Sequence, residues 1–415
     1  MKKTVALSLL VTLALAVTSL QQAVAETRLS ALFMSQAAYS EADVKAMTTS
    51  FEQANPGVKI DLEFVPYEAL HDKIVAASGA GDRGYDVVLF DVVWPAEFAR
   101  HGFLKDVSKR IPTSLEKEIF DGAWTTVSYD GKKFGMPWIL DTKYLFYNTA
   151  ILKKAGFSAP PATWEELEEQ ARVIKEKKLV KYPIVGSWSQ SEAMICDVTT
   201  ISSAYKGTFF TDNKPSFQRG GVVKAVSFME RTLQDGLTNP SSREYLEEDV
   251  RRVFSNGEAA FALNWTYMYA MANDPKESKI AGKVGVAPAP GAKGISKASG
   301  VNGSMGLGIP SNSKNPDLAW KYIVHLTSQK VQNRYARLSL PIWKSSYDDP
   351  LVTKGQEALV AAAKESIAVM FPRPLTPSYT ELSNILQTNI HKALLGKETV
   401  EKALANAAKR AARIR

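Results

Sequence analysis

Four places in the chain set an aromatic ring beside a carboxylate or amide: Phe90-Asp91 with Trp94, Asp141 with Tyr144, Trp188 with Gln190, and Asn264-Trp265 with Tyr267. Carboxylates and amides exchange hydrogen bonds with vicinal hydroxyls, while aromatic faces cover the apolar C–H patches of a saturated ring. Together these residues suit a sugar-like solute, although each aromatic taken singly is more often core than ligand platform. Signatures of covalent or metal-assisted catalysis are absent: there is no G-x-S-x-G, no phosphate-binding Gly-rich loop and no H-E-x-x-H. His71, His101, His325 and His391 lie far apart with no metal-ligand spacing. Cys196 is the lone cysteine, so no intramolecular disulfide can form. No cofactor and no metal are expected.

The elements that must position these residues follow from periodicity and turn chemistry. Strands are predicted at Arg28–Met34, Val58–Val65 and Tyr85–Phe90. Helices are predicted from Ser40 to about Ala54, over Tyr67–Ala77, and from Pro95 onward. Alternating strands and helices imply a parallel sheet, whose ligands bind beyond the carboxyl ends of its strands. That rule selects Ser35-Gln36 and Asp91 to Trp94. Downstream, strands are expected at Tyr182–Trp188, Glu258–Leu263 and the glycine-dense Gly300–Ile309. Helices are expected at Trp164–Lys177, Gln190–Ala204, Arg219–Gln234, Arg243–Ser255, Leu318–Leu326, Ser328–Leu338, Tyr379–Leu395 and Thr399–Arg413. Gly282–Pro290 reads as a Pro/Gly-rich break.

Between an apolar strand ending at Trp138 and an aromatic one starting at Tyr144 stand only a few residues, Asp141 among them. This tight join fits a crossing between two domains, with Asp141 at the hinge. It also fits a β-hairpin inside one domain, with Asp141 in its turn.

The 415 residues exceed what one core usually organises, so two domains are expected. Lys2-Lys3, the apolar run Val5–Val17 and Ala23-Val24-Ala25 read as a cleavable export signal over 1–25. The net charge of +8 falls to +6 without Lys2 and Lys3, and basic residues are interspersed with acids, which argues against nucleic acid.

The ordered set of motifs resembles the family 1 extracellular solute-binding proteins of bacterial ABC importers. It comprises Tyr85–Phe90 with Asp91 and ARHGFL, the Gly131–Asn148 crossing, PATWEEL, NGEAAFALNWTYMY, the glycine strand with SKNPDLAWKYIVHLTS, and Arg373–Pro377 with the C-terminal helices. The resemblance covers nearly the whole mature chain. It implies an α/β, two-lobe periplasmic-binding-protein fold with three hinge crossings, near Asp141, Gly300 and Pro341. The lobes would comprise 26–140 with 301–341, and 141–300 with 342–415. By position it implies that Asp91 and Asp141 bind sugar hydroxyls, that Trp265 and Tyr267 stack, that Arg373 reaches the ligand and that Gly303 faces the cleft. Gln36, Trp94 and Gln190 fall in matching loops. Asn302-Gly303-Ser304-Met305 departs from relatives that carry Trp after paired glycines, which points to a smaller or more polar ligand than a long maltodextrin.

The resemblance therefore implies a monomeric periplasmic protein that passes a small carbohydrate to the membrane permease subunits of an ABC transporter. Lys143 and Arg373 keep an anionic sugar derivative open. The alternative is an exported glycoside hydrolase using Asp91 and Asp141 as its carboxylate pair; a surface adhesin with no small ligand is a third reading.

Overall fold

Among the described residues, ten strand-forming segments sort into two five-stranded sheets, alongside two short two-stranded ribbons. In chain order they are Thr27–Met34 (β1), Val58–Val65 (β2), Val87–Asp91 (β3), Met136–Ile139 (β4), Tyr144–Asn148 (β5), Ile184–Val185 (β6), Phe261–Asn264 (β7), Val284–Ala292 (β8), Ser296–Ser299 (β9) and Met305–Gly308 (β10). The computed structural model describes residues 26–35, 38–79 and 84–414. The export signal read at 1–25, and Gln36, lie outside the described residues.

The first sheet has the order β2-β1-β3-β10-β4. β1 pairs in parallel with both β2 and β3, and the returning β10 runs antiparallel to β3 and β4. Helices fill the crossovers. Ser40 caps Glu41–Ala54, accepting from the Asp43 N–H at 3.1 Å while the Asp43 carboxylate accepts from the Ser40 N–H at 3.1 Å. The core beneath includes Phe33, Phe90, Trp138 and Leu307, with Tyr322 and Ile323 from the later helix Pro316–Thr327.

The second sheet has the order β9-β8-β5-β7-β6, with β5 antiparallel to β7 and β8. Alternation along β5 divides two cores: Leu145 packs with Trp164, Ile195 and Leu386, whereas Tyr144 and Phe146 pack with Phe254, Tyr347 and Leu359. Val284–Ala292 is a strand despite Pro288 and Pro290. Its first half pairs with β5 and its second half with β9, so each half meets one of these two neighbours and missing N–H donors are tolerated. The segment expected as strand at Tyr182–Trp188 is ordered as strand only over Ile184–Val185.

The chain passes from the first sheet to the second between Ile139 and Tyr144, and back between Ser299 and Met305. The glycine-dense stretch is thus an extended crossing followed by a four-residue strand, not one continuous strand. These passages run side by side. Gly303 N–H donates to the Asp141 carbonyl at 3.0 Å, Val301 N–H to Thr142 Oγ1 at 3.2 Å, and Asp141 N–H to Ser304 Oγ at 3.3 Å. A third passage is spread over a longer stretch: Leu340 lies in the second lobe's core, Ile342 and Trp343 in the first, and Tyr347 again in the second. The helix expected through Leu338 ends at Arg334.

Candidate functional site

Register places the chemistry. Met305 pairs with Asp91 on one side and with Ile139 on the other, so the end of β3 and the start of the first crossing meet at one edge of the first sheet. In the second sheet Asn264 pairs with Tyr144, which carries Trp265 to the same junction. A cleft of about 450 Å³ opens there between the lobes.

Asp91 and Arg373 form one buried unit on the cleft wall. Arg373 Nη2 donates to Asp91 Oδ1 at 2.8 Å and to the Asn302 carbonyl at 3.3 Å; its Nη1 donates to Glu192 Oε1 at 2.7 Å. Tyr67 OH donates to Asp91 Oδ2 at 3.3 Å, and Val93 N–H to Oδ1 at 3.1 Å. Glu192 also accepts from the hydroxyls of Tyr379 and Ser383. Arg373, 4% exposed, thereby ties a carboxylate of the first lobe to one of the second, leaving Nε without a partner.

Asp141 is 5% exposed and lines the cleft from the hinge. Its Oδ1 accepts from Thr142 N–H at 2.8 Å and Thr266 Oγ1 at 2.6 Å, and Thr266 N–H lies 3.3 Å from both oxygens. Burial pushes its carboxyl up to about 7, against the pull of the threonine donors and of the Lys143 charge. Lys143, fully buried, faces Asp197 at 2.9 Å and Glu247 at 3.4 Å. Burial pulls its ammonium down, but these two carboxylates together push it above the ordinary lysine range. Burial raises the Cys196 thiol, leaving it protonated and without nucleophilic character.

Trp265 lines the cleft with its ring 4.8 Å from Lys143 Nζ and its indole N–H donating to Glu247 Oε1 at 3.1 Å. A Cβ on Gly303 would sit 2.3 Å from Trp265 Cζ3. Only the bare glycine backbone lets the second crossing approach the ring that closely. Tyr267 also faces the cleft and is buried, with a hydrogen bond to Glu248.

Asp91, Asp141, Trp265, Tyr267, Gly303 and Arg373, all selected from the sequence, line this one cleft. Two others do not. Trp94 is 4% exposed and lies beneath the wall, stacked on Tyr67 at 5.7 Å and packed against Phe98. Gln190 is exposed, in the turn before helix Glu192–Ala204, and does not reach the cleft; its neighbour Trp188 is buried with its indole N–H on Asp197. Sequence reasoning passed over Tyr67, Glu192 and Glu247. Tyr67 had a signal, since the rule that selected Ser35 and Asp91 applies equally to the residues after β2. Glu192 and Glu247 had none: each stands in the first turn of a helix, where an acid is ordinary. Among the described residues no group of side chains is arranged to hold a metal ion.

Two α/β lobes joined by paired crossings, with a polar and aromatic cleft at the joint, define a clamshell binding protein. Residues 32–333 match the bacterial extracellular solute-binding protein family, and the chain belongs to that family. A probable ABC transporter-binding protein of Deinococcus radiodurans is 31% identical over 356 residues, covering 81% of each chain. Among solved structures, maltose-bound MalE3 of T. maritima is similar at a TM-score of 0.85 and 30% identity, over 93% of this chain and 99% of that one. A solute-binding protein of Thermotoga lettingae bound with α-D-tagatose gives 0.83 and 26%, over 94% and 99%. The family is one of binding proteins rather than enzymes. Among the described residues no helix is long and apolar enough to cross a membrane.

Proposed function

We propose that this protein captures a small sugar or polyol between its lobes and delivers it to the membrane permease of an ABC importer. The observation that carries this reading is the convergence of Asp91, Asp141, Trp265, Tyr267 and Gly303 on one cleft at the two crossings. Carboxylates there accept from hydroxyls, and the rings of Trp265 and Tyr67 cover C–H faces. Arg373 holds Asp91 and Glu192 in place rather than reaching across the cleft with a free guanidinium. The maltose and tagatose held by the two similar structures support the solute class.

In this reading residues 1–25 are removed on export and the mature monomer works in the periplasm. Its lobes are 26–140 with 301–341, and 141–300 with 342–415. Nucleic acid plays no part. Contacts from both lobes stabilise the closed arrangement, because a ligand shifts an equilibrium only by its differential affinity.

A thermal-shift screen of the mature protein against neutral, aminated and anionic sugars and polyols tests this. A ligand at ~100 times its Kd adds ~2.7 kcal/mol and raises Tm visibly. A sugar-specific shift is expected; silence across the panel sinks the reading. Asp141, with its raised carboxyl, would suit a glycosidase acid, but its candidate partner Asp91 is already engaged by Arg373 and by Tyr67, which favours the binding reading. Aryl glycosides should accordingly stay intact; release of the aglycone would revive the hydrolase.

A further inference from the structure

The cleft is acidic in a way that selects among sugars. Among the described residues, seven acidic side chains line it against two arginines. The cations at its walls are already matched: Arg373 by Asp91 and Glu192, Lys143 by Asp197 and Glu247, and Arg252 by Asp249. Glu248 pairs with Arg251 at 2.9 Å, on the helix behind it. Lys143 and Arg373, the residues that could have welcomed an anionic sugar, thus have no charge to spare.

Asp141 is the exception among the buried carboxylates of this wall. It has no ion pair among the described residues, and every donor it meets is neutral: the Thr142 amide, the Thr266 amide and the Thr266 hydroxyl. Among the described residues its Oδ2 receives only the Thr266 N–H at 3.3 Å, a bond shared with Oδ1. A carboxylate 5% exposed, open to a ligand-sized space and without an ion pair of its own, with only the already committed Lys143 charge to favour it, is costly in its ionised form, and a ligand cation would relieve that cost. Ring faces attract cations as well, and Trp265, Tyr67 and Tyr267 line the same space.

We propose that the solute carries a protonated nitrogen, as in an amino sugar or an aminated polyol, and that its ammonium sits on Asp141. This rests on the sugar-binding reading above and narrows it. Hydroxyls of the same solute would fall to the aromatic and acidic groups around Asp91, and anionic derivatives such as sugar phosphates would be refused.

The test uses matched probes with the mature protein at pH 7, by calorimetry and thermal shift. The probes are D-glucose, D-glucosamine and N-acetyl-D-glucosamine, the corresponding galactose and mannose sets, D-sorbitol against D-glucamine, and D-glucose 6-phosphate. In at least one set the amine should bind 10-fold or more tighter than its hydroxyl and N-acetyl counterparts, with no binding of the phosphate. Asp141→Asn should bring that preference below about 3-fold while the circular dichroism melt shows a folded protein. The wild-type comparison stands alone should the variant fail to fold. Neutral members binding as tightly as the amines would overturn this inference and leave the sugar reading intact. Tight binding of the phosphate would overturn it too, and no binding by any probe would remove both.

Discussion

Arg373 Nη2 stands 2.8 Å from Asp91 Oδ1 although 282 residues separate them in sequence. The pair is buried and spans the joint between the lobes, with Glu192 as the third member. Truncating Arg373 to Met leaves a buried and a partly buried carboxylate without their cation, a loss of about 3–5 kcal/mol. Urea unfolding of Arg373→Met should show that drop, with Asp91→Asn costing less because Glu192 still holds the guanidinium. Unchanged unfolding midpoints in both would mean that the tie does not form.

The near contact of Gly303 with the Trp265 ring makes a second expectation. A methyl group at 303 must displace the indole, since the clash is with ring atoms and not with the end of a flexible side chain. Gly303→Ala should weaken sugar affinity about 10-fold or more and shift the intrinsic tryptophan emission. Trp265→Ala should weaken it at least as much with little loss of folding, because the ring is only partly buried. Normal affinity and emission in Gly303→Ala would contradict the packing.

Stability of the ligand-free protein should carry the signature of Asp141. Its carboxyl is raised to about 7 in the folded state by burial, above its ordinary 3.8. The folded state therefore holds a proton that the unfolded chain releases, so this group costs stability progressively as pH rises from about 4 to 7. Lys143 opposes the shift from the same strand-to-strand segment, while Tyr144 and Tyr347, whose hydroxyls lie in the Asp141 field, stay neutral throughout. The Tm difference between Asp141→Asn and wild type should grow across that window and level off above about pH 7. A flat difference from pH 4 to 8 would show that Asp141 titrates normally.

Trp94 and Gln190 supply a contrast between core and surface. Trp94→Ala should destabilise by about 3–5 kcal/mol, the usual cost of removing a large buried ring. Gln190→Ala should change stability by less than about 0.5 kcal/mol and leave sugar affinity unaltered. Reduced affinity in Gln190→Ala with normal stability would put that residue back at the site.

Much of this was legible beforehand because local rules suffice for it. Ser40 and Thr163 mark helix starts by capping chemistry, and both side chains accept from the N–H three residues on. The third strand is a continuous apolar run, buried along its length, and Asp91 closes it. Asp141 falls in a gap too short for anything but a crossing or a tight turn. Each of these depends on residues within a few positions of one another.

What tertiary structure decided is which polar groups face each other. Nothing local in Arg373 distinguishes a ligand-reaching guanidinium from one committed to Asp91 and Glu192, because both partners arrive from other elements. Nor does Lys143 announce that Asp197 and Glu247 hold it, leaving Asp141 two residues earlier without an ion pair among the described residues. Trp94 stacks behind Tyr67, so that only the Tyr67 ring meets the cleft. Periodicity and capping fix how each segment folds. Charge pairing across the joint is set by register and lobe packing, and those interactions are long-range.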